Sequence, residues 1–292
     1  MVIEMSIKIA VVGSINMDLV TSVKKVPIAG ETVMGETFAT MPGGKGANQA
    51  VAAARLGAEV SMIGCLGNDY LGDGLLEVLH KEGICTKAVK RVDGSSGTAS
   101  IILSEGDNRI IVVPGANHKI TPQWIEENRK VIEESNLLLV QLEIPLNCVQ
   151  KALEIAKAAN VKTILNPAPI TRLPAEIVRF SDYITPNEHE YQTLLEDFSA
   201  ADLSGKLIIT MGQNGVLYYE DGKEVRIPAQ KVPVLDTTGA GDTFNGALGV
   251  ALCEQMELDA AIRFANKAAA LSVTQIGAQN GMPTKKMIGQ LN

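Results

Sequence analysis

Apolar runs and amphipathic stretches alternate along most of this chain. Residues 7–12 and 137–142 are apolar runs broken only by Lys8 and Gln141, a pattern that is typical of strands buried on both faces of a sheet. Residues 71–81 and 146–159 instead place apolar side chains at helical spacing. This alternation predicts an α/β protein with a doubly wound, mostly parallel sheet. Further strands are predicted over residues 59–63, 162–165, 181–185 and 206–211, and further helices over residues 122–134, 243–252, 259–273 and 285–291.

Two segments interrupt the alternation. Residues 19–41 contain short Val-, Thr- and Phe-rich pieces separated by proline and glycine, without helical periodicity. Residues 98–103 and 109–113 flank a Glu-Gly-Asp-Asn turn at 105–108, which is a hairpin pattern. We expect the two insertions, over residues 18–42 and 97–113, to form one small β-sheet that covers a site. Residues 1–292 as a whole, with these insertions, are expected to form a single domain.

Composition narrows the class of protein. The 292 residues are 46% hydrophobic but only 4% aromatic, so Val, Ile, Leu and Ala must build the core. The net charge of −7 argues against nucleic acid or an anionic membrane as a partner. The 4 cysteines lie far apart and lack metal-site spacing, which indicates free thiols in a reducing compartment. With no signal-peptide pattern and no membrane-length apolar run, a cytoplasmic protein is expected.

A glycine turn leads into the helix that starts near residue 240. Residues 236–246 read Asp-Thr-Thr-Gly-Ala-Gly-Asp-Thr-Phe-Asn-Gly. Without side chains at Gly239 and Gly241, consecutive backbone N–H groups can converge on an anion at the helix N-terminus. A carboxylate at Asp242 would repel that anion unless it accepts a proton from a hydroxyl that attacks phosphorus. The alternative is that Asp242 only caps the helix.

A second glycine-rich turn opens an Ala-rich helix. Residues 42–50 read Pro-Gly-Gly-Lys-Gly-Ala-Asn-Gln-Ala. The glycines permit close approach of the backbone to a ligand, and Asn48 lies in the first helical turn facing back toward the loop. Lys45 is not a P-loop lysine, because the chain has no GxxxxGK[ST] motif. The alternative is a tight turn that only packs the helix.

Polar residues follow two of the predicted central strands. Asn16 and Asp18 come after the first strand, and Glu143 follows the strand at 137–142. Open α/β sheets bind ligands at the carboxyl ends of their strands, so these side chains are candidate ligand contacts. They could also be ordinary polar turns. No GxGxxG motif follows the first strand, which disfavours a dinucleotide-binding dehydrogenase.

Asn187 and Glu190 lie three residues apart at a predicted helix start. This spacing places both on one face of the first turn, where a carboxylate could hold Mg²⁺ through water. A capping box with Asn187 as N-cap explains the same pair without a ligand, and we favour that interpretation from the pattern alone.

Together the two glycine blocks, residues 43–50 and 236–243, resemble the signature motifs of the ribokinase-like (PfkB) family of carbohydrate kinases. The similarity runs from the Gly-Ser-Ile-Asn-Met-Asp segment at 13–18 to Gly-Ala-Gln at 277–279, which is nearly the whole chain. The resemblance implies a three-layer α/β/α sandwich with a β lid, and a homodimer formed through paired lids. It also implies ATP-dependent phosphorylation of D-ribose at the 5-hydroxyl, giving D-ribose 5-phosphate and ADP.

The resemblance further assigns roles to individual positions. Asp242 is implied as the base, with the N–H groups of Gly239, Ala240, Gly241 and Asp242 as an anion hole. The implied sugar contacts are Asn16, Asp18, Gly43, Gly44, Lys45, Asn48, Glu143 and Asp242. The implied ATP contacts are Asn187, Thr210, Gly212, Gly215, Gly241 and Asn266. Glu190 is implied to hold Mg²⁺ through water, and the implied K⁺ positions are Asp236, Thr238, Ser272, Gln275, Gly277 and Gly281.

One departure and two alternatives accompany the resemblance. Residues 191–209 are fewer than the family pattern usually has, which predicts little more than a turn after the first helix and a trimmed sheet edge near the nucleotide. A related kinase of a nucleoside or of another sugar, such as deoxyribose, is the first alternative. A catalytically silent sugar- or nucleotide-binding regulator is the second, and retention of Asp242 with both glycines disfavours it. The presumed sugar loops contain no arginine, as expected for a neutral sugar.

Overall fold

The computed structural model describes residues 6–104 and 107–291. The strands are β1 (Lys8–Val12), β2 (Asn16–Val23), β3 (Gly35–Gly43), β4 (Glu59–Gly67), β5 (Cys85–Val92), β6 (Gly97–Ser104), β7 (Asp107–Val113), β8 (Leu137–Val140), β9 (Lys162–Leu165), β10 (Tyr183–Ile184), β11 (Ile208–Thr210), β12 (Val216–Glu220) and β13 (Lys223–Ile227). The α-helices are α1 (Lys45–Arg55), α2 (Tyr70–Lys81), α3 (Pro122–Glu127), α4 (Arg129–Glu133), α5 (Leu146–Ala158), α6 (Ala175–Phe180), α7 (Glu188–Asp197), α8 (Ala200–Leu203), α9 (Ala240–Cys253), α10 (Leu258–Ser272) and α11 (Lys285–Gln290).

The centre of the molecule is a six-stranded parallel sheet in the order β10-β9-β8-β1-β4-β5. From β1 the chain first extends the sheet to one side through β4 and β5, and then returns to the other side through β8. The carboxyl ends of β1 and β8 therefore form the topological switch point, where open α/β sheets bind ligands. The predicted doubly wound parallel sheet is confirmed.

Apolar residues of β1 point alternately to the two faces of this sheet. Ile9 and Val11 pack in a core with α1, α2, α9 and α10, whereas Ala10 and Val12 pack in a second core with α3 to α8. A strand buried on both faces needs an apolar run such as the one found in the sequence. The result is the predicted three-layer α/β/α sandwich. None of the helices in the described ranges combines the length and apolarity needed to cross a bilayer.

A smaller antiparallel sheet extends one edge of the central sheet. Strands β11, β12 and β13 pair in that order, and single bridges from Ile184 to Leu207 and from Asn187 to Thr210 join them to β10. The β12–β13 turn contains Asp221 at φ 50° and Gly222 at φ 74°, the left-handed pair that a two-residue hairpin requires. Between α7 and β11 there is only the four-residue helix α8, as the shortened segment predicts.

The two insertions form one sheet, in the order β3-β2-β6-β7. Each insertion pairs antiparallel within itself, and β2 pairs parallel with β6 to join them. The predicted lid is therefore confirmed as a sheet. Its predicted hairpin turn at 105–108 falls partly on residues 105 and 106, which lie outside the described residues.

Several element predictions differ from the structure. The helix predicted over 122–134 is two helices, because Asn128 ends α3, and its side chain donates to the Trp124 carbonyl at 2.8 Å. Strand β5 was not predicted, since Lys87, Lys90 and Arg91 interrupt its apolar pattern at the edge of the sheet. The strand predicted over 181–185 contains only Tyr183–Ile184.

Helices α1 and α9 cross closely at a glycine. A Cβ atom on Gly246 would lie 2.6 Å from the Ala52 Cβ and 2.8 Å from the Gln49 carbonyl oxygen. Such distances require the helices to move apart, since the nearest atoms include backbone. The contact matters because it sets how closely the N-terminal turns of α1 and α9 approach each other.

We therefore expect Gly246→Ala to destabilise the protein by about 1–3 kcal/mol, the usual cost of overpacking a core. Gly74→Ala in α2 is the matched control, because a Cβ there meets nothing within 4 Å. Alanine should raise stability slightly at that position, by roughly 0.5–1 kcal/mol. Urea unfolding of both variants measures the difference, and equal stabilities would show that the α1–α9 contact can relax freely.

Candidate active site

The turn into α9 requires glycine at its first position. Gly239 is the N-cap, with φ 78°, and a Cβ there would lie 2.7 Å from the Ala278 carbonyl oxygen. Asp242 is the third residue of the helix, so the interpretation of Asp242 as the N-cap is wrong. Its carboxylate is directed elsewhere and needs a separate explanation.

Most amides of this turn carry free N–H groups. The Ala240 N–H donates to the Thr237 carbonyl oxygen at 3.2 Å. Within the described part of the chain, the N–H groups of Gly239, Gly241 and Asp242 have no such partner. At Gly241 a Cβ would meet nothing within 4 Å, so the turn is open on that side. Unpaired amides at the N-terminus of a 14-residue helix form a suitable site for an anion.

The Asp242 carboxylate is held by two amides from α1. Asn48 Nδ2 donates to Asp242 Oδ2 at 2.9 Å, and Gln49 Nε2 donates to Oδ1 at 3.1 Å. The residue is only 6% exposed. Burial raises the pKa of Asp242, while the charge of Lys45 and the two amide hydrogen bonds act in the opposite direction. A buried carboxylate with a raised pKa is a candidate proton acceptor.

One lysine lies among several carboxylates here. Burial alone would lower the pKa of Lys45, but the charges of Asp242, Glu143, Glu190 and Asp18 outweigh it and leave the pKa raised. Lys45 is therefore an ammonium ion that partly compensates the negative charge of the site.

Asp18 has a strongly perturbed carboxyl group. Burial, together with the charges of Glu143 and Asp242, raises the pKa of Asp18 to about 7, although Lys45 opposes the shift. Instead of ending a central strand, Asp18 lies on β2, the first strand of the lid. A Cβ on Gly43 would lie 2.4 Å from Asp18 Oδ2, so the absence of a side chain at Gly43 makes room for this carboxyl group.

Asn16 also lies on β2, and a residue that the sequence analysis missed fixes its orientation. Asn117 Nδ2 donates to Asn16 Oδ1 at 2.7 Å, while Asn117 Oδ1 accepts from the Ile15 N–H at 2.9 Å. The Asn16 amide nitrogen is thereby left available as a donor. Gly44, at φ 86°, allows the backbone of β2 to pass close to the start of α1. A Cβ on Gly44 would lie 2.6 Å from the backbone nitrogen of Asn16.

Glu143 connects the loop after β8 to the start of α1. Its Oε2 accepts from the Ser14 hydroxyl at 2.5 Å and from the Lys45 N–H at 3.1 Å. The structure thus brings the predicted positions Asn16, Asp18 and Glu143 to the switch point of the sheet, beside Asp242.

Asn187 and Glu190 form the capping box that the pattern favoured. Glu190 N–H donates to Asn187 Oδ1, and Asn187 N–H donates to Glu190 Oε2, both at 2.8 Å. Burial raises the pKa of Glu190, with opposing contributions that include the Asn187 hydrogen bond and Lys45. Glu190 therefore has a structural role that does not depend on a metal.

The other implied nucleotide positions lie around the edge sheet. Thr210 is bridged to Asn187, next to β10. Gly215, at φ 89°, has no room for a Cβ, which would lie 1.9 Å from the Ile227 carbonyl oxygen, and Gly212 has φ 52°. Asn266 on α10 donates to the Pro228 carbonyl oxygen at 2.8 Å. Each of these contacts involves strands β11 to β13 or a residue directly next to them.

Asp236 joins the turn before α9 to the loop after α10. Its Oδ1 accepts from the Thr238 N–H at 2.9 Å and its Oδ2 from the Gly277 N–H at 2.8 Å. Burial opposes these hydrogen bonds, but they lower the pKa of Asp236 on balance, so the carboxylate is ionised. In the same loop, a Cβ on Gly281 would lie 2.0 Å from the Ser272 carbonyl oxygen, while Gln275 is exposed.

Buried amides that the sequence analysis missed support Asp242 and Asn48. Gln279 Nε2 donates to Asn48 Oδ1 at 3.0 Å. Gln141 Nε2 donates to Gln49 Oε1 at 2.7 Å, and Gln49 Nε2 also donates to Asn166 Oδ1 at 3.2 Å. The available signal was that Gln141 and Asn166 directly follow apolar strands at the predicted ligand side of the sheet.

This combination of fold and site defines a class of α/β enzymes that transfer a phosphoryl group to a small molecule. A profile of the pfkB family of carbohydrate kinases matches residues 6–285. The chain belongs to this family of ATP-dependent carbohydrate kinases.

Known relatives cover nearly the whole chain. A ribokinase from Bacillus subtilis (strain 168) is 48% identical over 288 residues, which span 97% of this chain and 98% of that protein. The structure of Arabidopsis thaliana ribokinase complexed with ribose and ATP superposes with a TM-score of 0.90 at 30% identity, covering 98% of this chain and 99% of that one. A deoxyribokinase from Salmonella typhi is 36% identical over 292 residues, covering 94% of this chain and 95% of that protein.

The charge on Asp18 leads to a pH-dependent prediction for stability. Its pKa is about 7 in the folded protein against an ordinary value of 3.8, so the folded state holds the proton more strongly than the unfolded state. Wild type therefore loses stability from this group as pH rises from about 4 to 7, at about 1.4 kcal/mol per pKa unit at most. Asp18→Asn removes this pH-dependent loss of stability, because asparagine does not titrate.

We expect the Tm of Asp18→Asn minus that of wild type to increase between pH 5 and pH 8, measured by thermal unfolding without ligands. Asp221→Asn is the control, since Asp221 is exposed and asparagine tolerates its left-handed turn conformation. A difference in Tm that is the same at both pH values would contradict the perturbed carboxyl group.

Proposed function

We propose that the protein transfers the γ-phosphoryl group of ATP to the 5-hydroxyl of D-ribose, giving D-ribose 5-phosphate and ADP. The observation that carries the proposal is Asp242, a buried carboxylate between the free amides of the α9 turn and the polar pocket at the switch point. The identity of 48% to a ribokinase over 97% of the chain supports ribose as the sugar.

Separate groups handle the proton and the charge in this mechanism. Asp242 accepts the proton of the sugar hydroxyl while the hydroxyl oxygen forms a bond to the γ-phosphorus. The bond from that phosphorus to the ADP oxygen breaks in the same step. The N–H groups of Gly239, Gly241 and Asp242 donate hydrogen bonds to the phosphoryl oxygens. Ala240 contributes less as a donor, because its N–H is already paired with the Thr237 carbonyl oxygen.

The pocket chemistry suits a neutral polyol. We assign the sugar hydroxyls to the carboxylates of Asp18 and Glu143, the amides of Asn16 and Asn48, and the charged Lys45. We also assign sugar contacts to the backbone at Gly43 and Gly44. Because neither residue has a side chain, the sugar could approach their backbone closely. Ionised carboxylates accept hydrogen bonds from hydroxyl groups and side-chain amides donate to them, so the two kinds of group together suit a ring of hydroxyls.

Deoxyribose is the second candidate, supported by 36% identity to a deoxyribokinase. Coupled ATP turnover over D-ribose, 2-deoxy-D-ribose, other pentoses and nucleosides separates the candidates. The highest kcat/KM is expected with D-ribose. A higher value for another compound would change the substrate, and ligand binding without turnover of any of them would indicate a regulator.

The resemblance implies two ions, and the acidic side chains that we assign to them are Glu190 for Mg²⁺ and Asp236 for K⁺. Mg²⁺ usually keeps several waters and binds through one or two carboxylates and substrate phosphates, so Glu190 alone is sufficient on the protein side. The Mg²⁺ ion would neutralise part of the negative charge of the ATP phosphates. We assign K⁺ to Asp236, with Thr238, Ser272, Gln275, Gly277 and Gly281 supplying oxygens, and ATP to the surface at Asn187, Thr210, Gly212, Gly215, Gly241 and Asn266. The shortened segment before β11 is expected to weaken nucleotide binding.

The lid is proposed to pair with the lid of a second copy. On its edge strand β7, Ile110, Ile111, Val112 and Val113 are between 46% and 63% exposed, and Phe38 on β3 is 67% exposed. A long apolar edge strand is normally covered, and a two-fold axis would cover both copies at once. The acidic net charge supports our proposal that the protein binds neither nucleic acid nor membranes. The free cysteines support a location in the reducing cytoplasm.

Asp242→Asn tests the base. Asparagine keeps the size of the side chain but cannot accept the proton, so kcat should fall at least roughly 10²-fold. Circular dichroism and ATP binding should be unchanged. Near-normal turnover by the folded variant would leave Asp242 with only a structural role.

The cation assignment makes a second prediction. At constant ionic strength and saturating Mg²⁺-ATP, replacing Na⁺ by K⁺ should raise kcat, because the ion would fix the loops that orient the α9 amides. Asp236→Asn should lose this response, since it keeps an acceptor for the Thr238 N–H but no charge. Asp221→Asn is the control. A wild-type rate indifferent to the monovalent cation would remove the site.

Sedimentation tests the lid interface. A dimer is expected at micromolar concentration, and Ile111→Lys should shift it toward monomer by burying a charge in the interface. Met287→Lys on α11 is the control, because it adds the same charge to an exposed apolar position outside the lid. A monomeric wild type would contradict the proposal.

A further inference from the structure

One of the two amides on Asp242 belongs to a glutamine whose own orientation is determined. Gln49 Nε2 donates to Asp242 Oδ1 at 3.1 Å and to Asn166 Oδ1 at 3.2 Å. Gln49 Oε1 accepts from Gln141 Nε2 at 2.7 Å. Gln49 and Gln141 are 0% exposed and Asn166 7%. Every polar atom of Gln49 is therefore paired, and the pairing is satisfied by one orientation of its amide.

The residues that orient Gln49 are placed by the central sheet. Gln141 and Asn166 are the first residues after β8 and β9, and these strands pair in register through Val140 and Leu165. The two side chains therefore start from rigid neighbouring points at the carboxyl edge of the sheet. They are positioned before any ligand binds.

Gln141 is itself an unusual core residue. Its Oε1 has no hydrogen-bond partner within the described part of the chain, and the glycine at position 13 is packed against it, since a Cβ on Gly13 would lie 2.0 Å away. A buried acceptor without a partner is unfavourable, and an apolar side chain of the same volume would avoid that cost. The donor group of Gln141 is what an apolar residue could not supply.

We propose that Gln49 is a positioning residue for Asp242, and that Gln141 and Asn166 hold its amide with the nitrogen toward the carboxylate. The inference rests on the proposed function, in which Asp242 is the base. If the amide of Gln49 turned over, its oxygen would face the carboxylate and repel it. In the observed orientation the amide hydrogen stabilises the ionised form, which is the form that accepts a proton.

Four charged groups also act on Asp242, and the test leaves them unchanged. They are Lys45 on α1, Glu143 after β8, Asp18 on β2 and Glu190 on α7. Burial raises the pKa of Asp242, and the Gln49 hydrogen bond is among the contributions that lower it. Weakening that hydrogen bond must therefore move the pKa upward.

Gln141→Glu should give the larger effect, but its added charge also raises the pKa of Asp242, so Gln141→Met, which adds no charge, is the decisive variant. Gln141→Glu nearly preserves the shape of the side chain but replaces the donor by an acceptor, so the Gln49 amide must turn its nitrogen toward residue 141 and its oxygen toward Asp242. The acidic limb of the kcat–pH profile, measured with saturating Mg²⁺-ATP and the preferred sugar, should shift upward by at least about one unit. A one-unit shift corresponds to about tenfold lower kcat on that limb. Turnover should recover at higher pH, with the KM for sugar changed less than about threefold.

Gln141→Met guards against loss of folding. It removes the donor without adding charge, and it also removes the unpaired acceptor, so the fold should survive. Its acidic limb should move in the same direction by a smaller amount. Gln123→Glu on the exposed surface of α3 is the control for added charge and should keep the wild-type profile. Circular dichroism and Tm are measured for all three.

The outcomes separate the inference from the proposed function. An upward shift of the acidic limb in Gln141→Met supports the positioning role, and a larger shift in Gln141→Glu is consistent with it. A loss of kcat that is the same at every pH, or an unchanged profile in folded Gln141→Met, would overturn it. If Asp242→Asn remains active, the proposed function itself fails. If Asp242→Asn is inactive but the Gln141 variants titrate as wild type, only the positioning role fails.

Discussion

The site depends on keeping one carboxylate ionised inside the protein. Burial disfavours the charged form of Asp242, yet only that form can accept a proton from a sugar hydroxyl in the reaction that we propose. Neutral amide donors from Asn48 and Gln49 meet this requirement, and Lys45 adds a compensating charge. An amide donor stabilises the carboxylate without competing for the proton that we propose Asp242 accepts.

The geometry of the fold follows from bringing these groups together. Gly246 allows α1 and α9 to cross closely, so that the first turns of both helices meet at the switch point of the sheet. The first turn of α9 supplies free amides and the first turn of α1 supplies side-chain amides. The lid then adds Asn16 and Asp18 from β2, so the covering sheet also contributes to the pocket that it covers.

The sequence predicted the architecture for identifiable reasons. Apolar runs identify parallel strands, and a glycine turn before a helix is a local pattern that does not depend on distant contacts. The supporting amides were missed because Gln141 and Asn117 acquire their roles only from partners that are 92 and 101 residues away in sequence. Local pattern was also ambiguous at Asn187 and Glu190, where a capping box and a metal ligand need the same residues.

The ionisation of Asp242 is the most direct measure of this account. The infrared difference spectrum between wild type and Asp242→Asn isolates the signal of this carboxyl group, and it can be recorded over a range of pH. We predict that the ionised carboxylate band appears with the same pH dependence as the acidic limb of kcat. A carboxyl group that stays protonated throughout the pH range of full activity would contradict the assignment of Asp242 as the base.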